Sequence, residues 1–170
     1  QYYYTIGINT VNCDVSPFFG VNPPFADAEN PGDIKEGFLT SKLKYYDFSK
    51  MINRYKDDRI NLENIKKDTD SIISIGNLTT VYMICAFLRG TENFLIDMIA
   101  NKKLAEKIVD EVSTFCLEYA NLELEHFGDR AEYYGTWDDV AGQDSMMFAP
   151  ELFRKYFLPV YKKLIENVKK

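Results

Sequence analysis

The densest chemistry in this sequence is one short segment, Gly135-Thr-Trp-Asp-Asp-Val-Ala-Gly-Gln143. Asp138 and Asp139 are adjacent acids that could position a substrate or exchange a proton. On extended chain, neighbouring side chains point opposite ways. At most one of the two therefore faces a site, and the other ties down the loop or approaches a helix start. Gln143 could hold a polar group of a substrate or bond to backbone. Trp137, the single tryptophan, could wall a pocket or pack against the body of the protein.

Other reactive types point to less. His126 is the single histidine and ends an apolar helical face beside Gly128, where contact with the last helical carbonyls is the default. Cys13, Cys85 and Cys116 form no CxxC pair, and Cys85 and Cys116 fall on apolar helical faces as small core residues. No His, Cys or carboxylate set has zinc spacing. The segment itself therefore implies no cofactor.

The elements around the acids follow from periodicity. Ala131–Gly135 reads as a strand, and a loop runs from Thr136 to about Ala149. Pro150 then suits a first helical position, with Glu151 favourable against the helix dipole. Pro159 predicts a break at Leu158 and a restart. Upstream, Leu104, Ile108, Val112, Phe115, Tyr119, Leu122 and His126 recur at steps of three and four, one helical face sustained from a cap at Asn101 to Gly128. Leu78–Arg89, capped by Asn77 and stopped by Gly90, and Glu92–Ala100, capped by Thr91, are two shorter helices. Ser71–Gly76 is a β-branched strand. Residues 41–56 read as a helix, 16–37 as a long Pro/Gly-rich loop, and 1–15 as one or two strands. Strand-then-helix order implies a parallel sheet.

Composition bounds the function class. With 46% hydrophobic and 27% charged residues the chain is an ordinary globular one. A net charge of −6, with no dense basic block, argues against nucleic acid or an anionic membrane surface as partner. No apolar run approaches the roughly 18 residues that span a bilayer. Sparse cysteines suit a reducing cytoplasm. Gln1 is not an initiator Met and the last helix has no strand after it, so the sequence reads as an internal piece of a longer protein.

Three stretches carry a family resemblance. Val81-Tyr-Met-Ile-Cys-Ala-Phe-Leu-Arg-Gly-Thr-Glu-Asn-Phe-Leu-Ile-Asp-Met and the long helix after Asn101 form the first two. Trp137-Asp-Asp-Val-Ala-Gly-Gln with Ala149-Pro-Glu-Leu-Phe-Arg-Lys-Tyr-Phe-Leu-Pro-Val-Tyr-Lys-Lys-Leu-Ile is the third, with Pro150, Glu151, Phe153 and Pro159 in register. Over about residues 78–170 the chain resembles the uroporphyrinogen decarboxylase-like superfamily. The match is weak before residue 70. The resemblance implies an α/β fold: residues 1–170 as part of a single (β/α)8 TIM-barrel domain, here a helix-rich fragment with a few parallel strands. It also implies an enzyme in its full-length form, the isolated piece being inactive.

The superfamily contains cofactor-free decarboxylases acting on uroporphyrinogen, in tetrapyrrole synthesis. It also contains zinc-dependent methyltransferases that pass methyl groups between a corrinoid carrier and a thiol or similar acceptor. An eight-carboxylate substrate needs cationic clamps, yet none of Arg54, Arg59, Arg89, Arg130 and Arg154 sits at a predicted strand end. The decarboxylases' helix Tyr falls here at Ala86 or Phe87, and their small hydroxyl residue at Asp138-Asp139. These departures favour the methyltransferase type, with zinc ligands expected beyond Lys170 and a small molecule or corrinoid protein as partner. Asp138 and Asp139 are then the catalytic candidates, and Gln143 and Trp137 the substrate-binding ones. The alternatives are a true decarboxylase and a non-catalytic interaction module, a partial barrel that pairs with another chain to bury its exposed sheet edges; a homodimer is a separate expectation for the partners.

Overall fold

The protein is described by a computed structural model covering residues 3–5, 23–43, 72–75, 80–129 and 131–170. Helix predominates among these residues. Among the described residues, strand β1 (Tyr3–Thr5) is followed by a 3-10 turn (Pro31–Asp33), α1 (Thr40–Leu43) and β2 (Ile72–Ile75). Three helices come next: α2 (Val81–Arg89), α3 (Thr91–Ala100) and α4 (Lys102–Phe127). Strand β3 (Tyr133–Tyr134), α5 (Pro150–Tyr156) and α6 (Leu158–Val168) complete the order.

The core is built by helices packing on helices. Along α4, Leu104, Ile108, Val112, Phe115 and Tyr119 are all buried, because steps of three and four keep one face aligned over 26 residues, ~39 Å at ~1.5 Å per residue. Against that face lie Val81, Ile84, Cys85 and Leu88 of α2 and Phe94 and Met98 of α3. Tyr156, Phe157 and Val160 of α5 and α6 join the same cluster. Gly90 turns the chain between α2 and α3 at φ 87°, a left-handed conformation that glycine adopts without a Cβ penalty.

The segment before α1 is packed down as well. Phe25, Ala28, Ile34 and Leu39 are buried. Asn30 Oδ1 accepts from the Gly32 amide at 3.0 Å, and the Asp33 carboxylate accepts from the amides of Glu29 and Asn30 at 2.9 and 3.0 Å. Arg89 then fastens the segment to the end of α2. Its guanidinium donates to Asp97 Oδ2 at 2.7 Å, to the Phe25 carbonyl at 2.8 Å and to the Ala26 carbonyl. In return the Phe25 amide donates to the Leu88 carbonyl at 2.8 Å.

The partial (β/α)8 barrel expected from the sequence is not what the structure contains. Among the described residues the strands are three, four and two residues long. They pair in parallel, in the order β1-β2-β3, as a small open sheet. Three consecutive helices separate β2 from β3, so apolar surface is buried helix-on-helix and not by one helix per strand. Strand-then-helix order predicts parallel pairing. It carries no information on closure.

Local boundaries differ too. Residue 77, the expected cap of α2, lies outside the described residues; Thr80 occupies the cap position and makes no side-chain cap bond. α3 starts at Thr91, with Gly90 before it. Asn101 precedes α4 without capping it; its side chain donates to the Glu29 carbonyl at 2.9 Å. Of the helix expected over 41–56, only Thr40–Leu43 is described, and Cys13, Arg54, Arg59 and Arg130 fall outside. The chain breaks at Phe157 and restarts with Pro159 in the first turn of α6, one residue before the break that Pro159 predicts.

Candidate functional site

The strand-end segment leaves β3 by one more pairing bond, from the Gly135 amide to the Ile75 carbonyl at 2.8 Å. It then turns outward. Trp137 is 56% exposed. Beyond the two acids the chain folds back as a small hairpin. Ala141 bridges Met146 in antiparallel sense. The Gly142 amide donates to the Ser145 carbonyl at 2.8 Å, and the Met147 amide to the Val140 carbonyl at 3.0 Å. Gln143 stands exposed at the hairpin tip.

The two acids part company here. Asp138 is half-buried and turns to the start of α2. Its Oδ2 accepts from the Tyr82 amide at 2.6 Å and its Oδ1 from the Met83 amide at 2.9 Å. The first N–H groups of a helix have no partner within the helix, and an anion there also meets the positive end of the dipole. Asp138 thus caps α2 from a distant part of the chain, where Thr80 makes no cap bond. The Tyr161 hydroxyl of α6 donates to Asp138 Oδ2. The same hydroxyl accepts from the Val81 amide at 3.4 Å. Asp139 is exposed.

Charge in this joint is costly. Burial pushes the Asp138 carboxyl above its ordinary value, and the Tyr161 hydroxyl and the amides of Tyr82, Met83 and Asp139 only partly oppose it. Burial, with the Asp138 charge next, drives the Tyr161 phenol upward. Burial and then the charges of Asp138 and Asp139 do the same for Tyr82. Both phenols stay protonated and serve as donors. The Tyr82 ring is buried against Phe148 at 5.0 Å, Phe157 at 5.8 Å and Phe94 at 6.3 Å, and its hydroxyl meets Met147 Sδ at 3.7 Å.

A family model described as uroporphyrinogen decarboxylase (URO-D) matches residues 57–170, more than half of the chain. The chain belongs to the uroporphyrinogen decarboxylase family. No curated protein and no solved structure matches it. The residues of the Asp138 joint all lie inside the family match, as do Trp137, Asp139 and Gln143.

Within this member of the uroporphyrinogen decarboxylase family, the four residues singled out by sequence are not drawn into one cluster. Asp138 is bound to Tyr82, Met83 and Tyr161, while Trp137, Asp139 and Gln143 are presented on the outside of the same loop. Tyr82 and Tyr161 were missed by the sequence reading. Tyr161 adjoins the apolar face of α6 two residues after Pro159, and no spacing pairs it with an acid in another element.

Among the described residues no group of three or more His, Cys, Asp or Glu could hold a metal ion. Cys85 and Cys116 are buried free thiols, pushed up by burial first and by the Asp138 charge as well. That suits packing and opposes a nucleophilic or ligating role, since the thiolate is the reactive form. His126 belongs to α4, but its side chain is outside the described residues. No helix among the described residues is long and apolar enough to cross a membrane.

Proposed function

We propose that this member of the family is an enzyme of the methyl-transferring type, passing a methyl group between a corrinoid carrier and a thiol or similar acceptor. Asp139 is the substrate-facing acid of the strand-end loop. Trp137 and Gln143 contribute contact surface and a polar hand beside it. The observation that carries this reading is the charge of the loop. It presents the exposed carboxylate of Asp139, and Arg89, on the helix that Asp138 caps, is already bound to Asp97 and two backbone carbonyls. A substrate with eight carboxylates would meet like charge here.

Zinc, which the methyltransferase type uses to activate a thiol, finds no fitting ligand set among the described residues. A second reading uses the same loop differently. An exposed acid beside an aromatic ring could accept hydrogen bonds from pyrrole N–H groups, as the decarboxylation of uroporphyrinogen would require.

The two readings separate in one experiment on the intact protein that carries this chain. Given methylcobalamin and a thiol, it is expected to break the methyl–cobalt bond, form the carbon–sulfur bond of a thioether, and release cob(I)alamin, which keeps the bonding pair, and the thiol proton. Asp139→Asn is expected to lower kcat/KM by on the order of tenfold or more. Release of carbon dioxide from uroporphyrinogen, with no methyl transfer, would overturn the first reading and establish the second.

A further inference from the structure

The Tyr161 hydroxyl touches two elements at once. It accepts from the Val81 amide on α2 and donates to Asp138 Oδ2 in the strand-end loop. A phenol has one proton to donate and lone pairs to accept with, so a single atom joins α6, α2 and the loop. The ring itself is held by stacking on Phe153, at 6.2 Å and 18° between planes. Asp138 cannot turn outward without abandoning the Tyr161 hydroxyl and the Tyr82 and Met83 amides together.

We propose that Tyr161 and Asp138 form a positioning pair, in which the phenol of α6 holds the loop acid against α2 and thereby delivers Asp139, the next residue, to the surface as the substrate-facing carboxylate. The link between the two acids is a tight turn centred on Asp139, closed by the Val140 amide donating to the Asp138 carbonyl at 3.1 Å. Fixing one inward directs its neighbour outward. Tyr161 is a positioning residue and touches no substrate. The assignment of Asp139 rests on the proposed function. The pair itself does not.

The titratable groups facing Asp138 are Tyr82 and Cys85 of α2, Cys116 of α4 and Tyr161 of α6. The two phenols and two thiols are all pushed upward and stay neutral in acid. Asp139 is the neighbouring carboxylate, so the test is run in an Asp139→Asn background.

Trp137, next to the pair and 56% exposed, supplies the readout as the single tryptophan of the chain. As pH falls through the raised Asp138 value, the carboxylate gains a proton and loses an acceptor, the loop loosens, and Trp137 emission shifts. Tyr161→Phe keeps the ring and removes a donor that favours the ionised acid. Its transition is expected to move to higher pH, by about one pH unit for a hydrogen bond to a charged group, with the far-ultraviolet circular dichroism unchanged. Asp138→Asn is expected to abolish the transition. If Asp138→Asn does not fold, Tyr161→Phe decides alone.

A Tyr161→Phe midpoint equal to that of the parent would overturn the pair, as would a transition that survives in folded Asp138→Asn. The titration needs no substrate, so a protein without methyl transfer still tests the pair. In an active protein, Tyr161→Phe is expected to lower kcat more than it raises KM. Activity with an unmoved titration would sink the pair and leave the proposed function standing.

Discussion

Asp97→Ala is expected to destabilise the protein by about 3–5 kcal/mol, the range for removing one partner of a buried ion pair. Asp97 and Arg89 are both buried, with Nε to Oδ2 at 2.7 Å. Without the carboxylate, the guanidinium keeps the carbonyls of Phe25 and Ala26 but loses its counter-charge. Those carbonyls belong to the segment laid over α2, so the loss spreads from α3 to residues 23–28. For a chain of this size each kcal/mol moves Tm by roughly 2–4 °C, and a thermal melt should show a fall of roughly 6–20 °C. Glu151→Ala is the control. Its pair with Arg154 is 3.3 Å long, and both side chains are well exposed. Exposed pairs contribute ~0–1 kcal/mol, so that melt should barely move. Equal, small effects at both sites would show that the Arg89 site is not electrostatically buried.

Phe157→Ala is the second large effect, at about 3–5 kcal/mol for truncating a buried aromatic side chain. Phe157 is fully buried at the break between α5 and α6. Its ring centroid lies 5.6 Å from Phe148, 5.8 Å from Tyr82, 6.2 Å from Phe153 and Tyr156, and 6.4 Å from Phe94. Tyr82 is also the residue whose amide Asp138 holds, so the cavity opens beside the joint. Urea titration should show a lower midpoint with an unchanged slope, the mark of lost stability without lost compactness. Trp137 emission should change at the same time. A loss under about 1 kcal/mol would mean that the aromatic neighbours collapse into the space.

What the sequence makes legible here is what repeats locally. The buried face of α4 can be read residue by residue because a helix presents the same face every three to four positions. Pro150 places the start of α5, and Pro159 places the break to within one residue, because proline acts on its own backbone. Caps were less legible. Asn101 has the right chemistry to cap α4 and instead reaches the Glu29 carbonyl. α2 takes its cap from Asp138, and a partner that distant leaves no local spacing to find.

The barrel failed for a related reason. Closure depends on how many strands pair, and here the described strands are short and the helices bury one another. At the site, residue type and place in the chain picked out Asp138 and Asp139, and alternation said that they would face opposite ways. Which one turns inward was not readable, because Tyr161 and two amides of α2 decide it.

The sheet also bears on how the molecule assembles. Its rungs join residues far apart in sequence, Tyr3 opposite Ile72 and Ser74 opposite Tyr133, whereas α2, α3 and α4 are consecutive. Closing a long loop costs entropy before its contacts return anything, and topologies with distant pairings fold slowly. The helical trio should therefore gather first and the strands should zip on last. In native-state hydrogen exchange, the buried amides of Val112 and Cys116 are expected to outlast those of Ile73–Ile75. The reverse order would place the nucleus in the sheet. Because β3 leads straight into the loop of Asp138, that loop would be seated late on the folding route, and a chain stalled with its helices formed would still lack the surface on which the chemistry is proposed.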